Sequence, residues 1–208
     1  MKKITILLLV MVILISGCSV VRINTKDIDS ILNAILKKSN KLYNQVGQGY
    51  KYYVPAGVTY IDTDEYTNIL YCDGNYYYLY IDLVNYYYKS KLKYQENSKA
   101  YYSRKFDKQE GFKYPGYLEI TKEKDNMYRI NFMYNYSKVE ALVEKQDLNE
   151  SVLNISYILS TIKYNKTVID MMMDEDYFTN KTGKYNNYKT NESSSKFKLK
   201  TQKEKKES

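Results

Sequence analysis

Hydrophobic and polar positions change rhythm several times along this chain. Ile4 to Ile15 is an almost unbroken aliphatic run, interrupted by Thr5 and preceded by Met1-Lys2-Lys3. From Ile28 the apolar residues recur at spacings of three and four: Ile28, Ile31, Leu32, Ile35, Leu36, Leu42, Tyr43 and Val46. That stripe predicts a packing helix over 26–45, with Thr25 as its cap and Asp27 in its first turn. Gly47 and Gly49 stop it. Lys37, Lys38 and Lys41 are interleaved with the stripe, so a helix lying on a membrane surface is the alternative to a core helix.

From Tyr50 to Tyr102 the pattern has the period of strands. Tyr50–Val54 and Val58–Ile61 are short candidates, separated by Pro55-Ala56-Gly57. Asp73-Gly74 between Ile69–Cys72 and Asn75–Val84 reads as a tight hairpin turn, since both residues tolerate positive φ. Tyr77, Leu79, Ile81 and Leu83 share one face of the second strand, and Tyr76, Tyr78, Tyr80, Asp82 and Val84 the other. Both faces are largely apolar, which predicts a central strand covered on both sides. Residues 89–113 are charged and poor in aliphatics, as in a long loop or an irregular edge strand.

A second hairpin is expected from Tyr117–Lys122 and Met127–Tyr136 around Asp125-Asn126. The alternation then continues with opposite parity at Val139, Ala141 and Val143, which one bulge near Ser137-Lys138 would reconcile; a helix over 137–146 is the competing reading. Asn149 or Ser151 can cap a last main helix with the stripe Val152, Ile155, Leu159 and Ile162, and residues 167–178 can add a short one.

The order helix, hairpin-linked strands, helix predicts an α+β fold: one domain, a mostly antiparallel sheet, and an N-terminal and a C-terminal helix packed on it. With Tyr53-Val54-Pro55 near its start and Ile158-Leu159-Ser160-Thr161-Ile162-Lys163-Tyr164 near its end, the body resembles PsbP-like domains in pattern across about 48–166, without a diagnostic motif. The resemblance implies an antiparallel sheet sandwiched by helices, and a role in protein assembly or ligand binding. It assigns no site residue.

The N-terminal run has a separate meaning. A charged start, an apolar stretch and small residues before a cut form a secretory signal, and the stretch is shorter than the ~20 residues a spanning helix needs. Ile15-Ser16-Gly17-Cys18 resembles the lipobox of bacterial lipoproteins. The resemblance implies removal of residues 1–17 and attachment of diacylglycerol to the thiol of Cys18. The chain then divides into a signal (1–17), a linker (18–24), the α+β domain (25–178) and a disordered basic tail (179–208).

Charge sharpens that division. The formal net charge is +8 over 208 residues. Lys2 and Lys3 contribute two of these charges, and residues 181–208 carry nine lysines against three glutamates, a net of +6. Residues 18–180 hold 21 basic and 21 acidic side chains, so the body is neutral and no continuous basic face is expected on it. The tail is expected to adhere to anionic lipid or cell-wall polymer. Nucleic acid is a poor partner for an exported chain.

Composition excludes several chemistries. With no histidine there is no His metal ligand, Ser-His-Asp triad or Cys-His dyad. If Cys18 is acylated, Cys72 is left as a lone thiol, expected to be a small buried hydrophobe. Asp62, Asp64, Glu65, Asp73 and Asp82 are the carboxylates from which a glycosidase-like pair could be drawn. Asp170, Asp174, Glu175 and Asp176 could collect Ca2+ but lack the EF-hand pattern. Neither set is assigned as catalytic or metal-binding, and no cofactor is expected. Seventeen of the 27 tyrosines fall between Tyr43 and Tyr102. They suit a sheet core with polar tips at its rim, or an exposed face that binds a partner. The expected function is that of a membrane-anchored surface lipoprotein, a non-enzymatic module binding a protein or an envelope component. A small-molecule or glycan-binding lipoprotein and a carboxylate-based hydrolase are the alternatives.

Overall fold

The structure, a computed structural model, describes residues 25–64 and 67–174. The expected signal, Cys18 and the basic tail lie outside the described residues. Four α-helices, α1 (Ile28–Leu36), α2 (Leu83–Tyr87), α3 (Leu148–Thr161) and α4 (Lys166–Asp174), accompany ten strands. The strands are β1 (Gln45–Gly47), β2 (Tyr50–Tyr52), β3 (Thr59–Asp64), β4 (Thr67–Cys72), β5 (Asn75–Ile81), β6 (Tyr102–Phe106), β7 (Gly116–Lys122), β8 (Met127–Tyr134), β9 (Ser137–Glu144) and β10 (Lys163–Tyr164). Seven form a sheet of order β3-β4-β5-β9-β8-β7-β6, with every neighbouring pair antiparallel. A second sheet has the order β1-β2-β10. This is the expected α+β architecture.

Alternation places Tyr77, Leu79, Ile120, Ile130, Phe132, Val139, Ala141 and Val143 on the inner face of the large sheet. Helices α1 and α3 cover that face, and their buried stripes (Ile31, Leu32, Ile35 and Leu36; Val152, Ile155, Ile158 and Leu159) complete the core. The tyrosines there keep their hydroxyls satisfied, as burial requires. Tyr77 donates to Ser151 Oγ at 3.1 Å and Tyr102 to Asp29 Oδ1 at 2.7 Å. The two helices run the same way. Asn149, at the start of α3, donates to the carbonyl of Thr25, while Leu36, Ser160 and Ile162 meet at the other end.

Several sequence expectations are corrected. The first helix ends at Leu36 rather than near 45, and its cap is Asp27, whose Oδ2 accepts from the Ser30 N–H at 2.9 Å. Beyond it, Asn44 exchanges two hydrogen bonds with the Val54 backbone, at 2.9 and 2.7 Å, and Gln45–Gly47 pairs with β2. Sheet pairing therefore takes over in the second half of the expected helix. The long strand expected over 75–84 stops at Ile81, because Asp82 caps α2 by accepting from Asn85 N at 2.7 Å. The parity change near 137 comes from a two-residue turn, not a bulge. Asn135 and Tyr136 both have positive φ, 52° and 58°, and Tyr134 pairs with Ser137. Residues 137–144 are thus the middle strand of the sheet, and the competing helix is excluded. Helix α3 begins at Leu148 with Asp147 at the cap position, which leaves Asn149 and Ser151 inside it.

The outer face of the large sheet is a further difference. Tyr76, Tyr78 and Tyr80 are half-buried there rather than covered by a second layer like the inner face. Lys138 and Glu140 pair on this face and are themselves buried. Tyr94, from the long segment before β6, stacks on Tyr117 with centroids 4.0 Å apart.

Candidate functional site

The small sheet carries the most unusual surface. Its register sets Val46 opposite Lys51, and Lys51 opposite Lys163, so these three side chains form one row across β1, β2 and β10. Strand β10 directly follows α3, so Lys163 is placed by the helix end. Strand β2 is placed by the β1–β2 turn, where Gly49 takes φ 82°, a conformation that favours glycine. The Gly49 carbonyl accepts from Asn165 N at 2.8 Å, which ties this turn to the end of β10.

Beside the row lies a small open cleft lined by Lys38, Lys113, Lys163, Tyr114, Tyr134 and Ser160, among others. Its floor is tied together by Tyr134. That hydroxyl donates to the Leu36 carbonyl at 3.1 Å and accepts from the Tyr114 N–H at 3.2 Å. The Ile162 carbonyl accepts from Asn135 Nδ2 at 3.1 Å. Two helix C-termini thus meet at the cleft, and their partial negative charge suits lysines nearby.

Lys38, Lys41, Lys51, Lys113 and Lys163 gather around this point. Among the described residues none of the five makes an ion pair, whereas Arg104, Arg129, Lys138 and Lys166 each do. Partial burial, and then the Lys51, Lys41 and Lys113 charges, hold Lys163 below the ordinary lysine range. A body whose charges balance along the chain thus carries a local cluster of five lysines.

The apolar residues that sequence spacing assigned to a buried helix stripe edge this face instead. Leu42 is 55% exposed, Tyr43 54% and Val46 74%. The Lys51 ammonium lies 3.9 Å from the centroid of the Tyr43 ring, an attraction between cation and ring face. The arrangement can hold an anion by charge while offering apolar side chains at its rim. It presents no nucleophile paired with a base.

Among the described residues the carboxylates singled out in the sequence do not assemble. Asp73 sits in the β4–β5 turn with φ 45°, and Asp82 lies beyond the other end of β5 as the cap of α2. Asp62 lies on edge strand β3 and accepts from the Thr63 N–H at 2.7 Å. The side chain of Asp64, Glu65, the side chain of Asp174, Glu175 and Asp176 are outside the described residues. Asp170 pairs with Lys166 at 2.5 Å. Among the described residues no three His, Cys, Asp or Glu side chains come together to hold a metal ion.

Cys72 is buried, with Asn154 Nδ2 donating to its sulfur at 3.6 Å. Burial first, and then the Asp73 charge, push its thiol above the ordinary cysteine value. That environment suppresses the thiolate.

No helix among the described residues is long and apolar enough to cross a membrane. Comparison of the chain with protein-family models, with curated proteins and with solved structures found no match.

Proposed function

We propose that the protein is a bacterial lipoprotein held by diacylglycerol on Cys18 at the outer, non-cytoplasmic face of a membrane, and that its domain binds an anionic component of the envelope. The observation that carries the binding part is the set of five lysines gathered from Lys38 to Lys163 on one face, with no ion pair among the described residues. The anchor is supported by the Met1–Cys18 segment, whose charged start, apolar run and Ile15-Ser16-Gly17-Cys18 ending fit a lipoprotein signal. One acyl chain binds membranes marginally and two bind stably, so a diacylglycerol would hold the domain at the surface. The tail, with its net charge of +6, supplies a second basic element.

The test is fractionation of cells producing the parent and the Cys18→Ala protein. The parent stays in the membrane fraction after a high-salt wash. The variant leaves that fraction or accumulates as an uncut precursor. A variant cut and retained like the parent overturns the anchor.

A further inference from the structure

The small-sheet face carries a feature that a phosphate-binding cleft alone does not need: exposed apolar side chains at its rim. Leu42, Tyr43 and Val46 are each more than half exposed; Val46 is opposite Lys51 in the strand pair, the Tyr43 ring meets the Lys51 ammonium, and Leu42 follows Lys41 directly in the chain. A hydrated polyanion gains nothing from them. A bilayer surface does. Its phosphates take the ammonium groups, and the boundary with the acyl chains takes leucine, valine and the ring of tyrosine. Lysine stems add to this, since they lie along apolar matter while the charge stays at headgroup level.

We infer that this face, built from Lys38, Lys41, Lys51, Lys113 and Lys163 with Leu42, Tyr43 and Val46, lays the domain down on an anionic phospholipid bilayer. The inference rests on the proposed anchorage for the membrane it meets, and it makes the lipid surface itself the anionic partner of the site. The domain is then held at two points, one covalent and one electrostatic.

Chain lengths permit this. The anchored end of the domain, at Thr25, lies by the start of α3, and the basic face lies at its end. Helix α3 has 14 residues, about 21 Å at 1.5 Å per residue. The linker 18–24 has seven residues, which reach about 24 Å when extended. Both ends of the helix pair can therefore approach one membrane.

The test uses residues 19–208 without acylation, which include the whole described fold and keep the tail constant in every arm. Binding is measured by co-sedimentation with vesicles of phosphatidylcholine alone, and of phosphatidylcholine with an equal amount of phosphatidylglycerol. The parent is expected to bind the anionic vesicles at least about tenfold more tightly. Lys51→Gln/Lys113→Gln/Lys163→Gln is expected to lose on the order of 100-fold, at roughly fivefold per lysine. Leu42→Ser/Val46→Ser is expected to lose about tenfold on anionic vesicles, while binding of soluble inorganic polyphosphate stays as in the parent. A parent-like circular dichroism spectrum and a cooperative melting transition show that each variant folds.

The inference is overturned if either folded variant binds anionic vesicles like the parent. It is also overturned if polyphosphate is bound and the apolar substitutions leave vesicle binding untouched, which marks a polymer site. An unacylated Cys18 in cells removes the anchor but not the vesicle result, so the two failures are distinguishable.

Discussion

Lys51 and Lys163 face each other as directly paired residues of the antiparallel strands β2 and β10. Like charges at that position oppose folding by roughly the amount an unlike pair favours it, about 0.2–1 kcal/mol. A domain with as many acidic as basic side chains thus keeps a repulsive pair where a neutral residue would fit. The expected outcome is that Lys163→Thr raises stability by about 0.2–1 kcal/mol at low salt while weakening vesicle binding. The gain should shrink as salt screens the pair. Urea unfolding at two ionic strengths measures it, and a variant less stable than the parent at low salt contradicts it.

Tyr134 joins three parts of the fold at the cleft floor, through the Leu36 carbonyl and the Tyr114 N–H. Tyr134→Phe removes one hydroxyl and leaves a carbonyl and an N–H without that partner. A cost of about 1–3 kcal/mol is expected, read by denaturant unfolding. Faster amide exchange at Tyr114 should accompany it. No change in either quantity would show that water replaces the hydroxyl fully.

Alkaline pH should unfold the domain through its tyrosines. Burial pushes the hydroxyls of Tyr52, Tyr77, Tyr102, Tyr117 and Tyr164 above the ordinary tyrosine value. Burial also raises Tyr94, pushed up to about 12, with the Glu119 carboxylate that accepts its hydrogen bond adding to the rise. The unfolded chain releases these protons near pH 10, and the native state holds them longer. The stability they contribute is complete below about pH 10 and is lost as pH rises through the native values. The last part of the tyrosinate absorbance, which comes from the buried hydroxyls, should therefore appear together with the loss of circular dichroism. Full tyrosinate absorbance with the circular dichroism unchanged would contradict this.

Cys72 should be quiet. In the folded protein at neutral pH its reaction with a thiol reagent is expected to be more than about tenfold slower than in denaturant. Equal rates would show that the Asn154 and Asp73 surroundings do not shield the sulfur.

Local signals carried much of the architecture. Asp73-Gly74 marked the β4–β5 hairpin, and Asp125-Asn126 the turn before β8, because both pairs admit the positive φ that each turn uses. The Asn135-Tyr136 turn was hidden by its tyrosine, which rarely takes positive φ. What holds it is tertiary: Asn135 Nδ2 donates to Ile162, the Asn135 carbonyl accepts from Tyr164, and the Tyr136 ring meets Tyr86 edge-on at 5.8 Å. The stop of β5 at Asp82, which caps the next helix by accepting from Asn85 N, was missed. The strand alternation through Leu83 masked it.

The basic face was not legible, for a physical reason. Its lysines span positions 38 to 163, and only sheet pairing and the shared helix end bring them together. The apolar rim was misread for a related reason. Leu42, Tyr43 and Val46 continue the spacing of α1, but the Asn44–Val54 exchange draws that stretch into a sheet and leaves the three side chains in water.

The proposed anchor at Cys18 sets where the domain would work, and one mass measurement tests it most directly. The protein is extracted from membranes with detergent, digested, and its N-terminal peptide weighed. A peptide beginning at Cys18 and heavier by a diacylglyceryl group is the predicted result. An unmodified Cys18, within a chain that still carries Ile15-Ser16-Gly17 or one cut elsewhere, contradicts it.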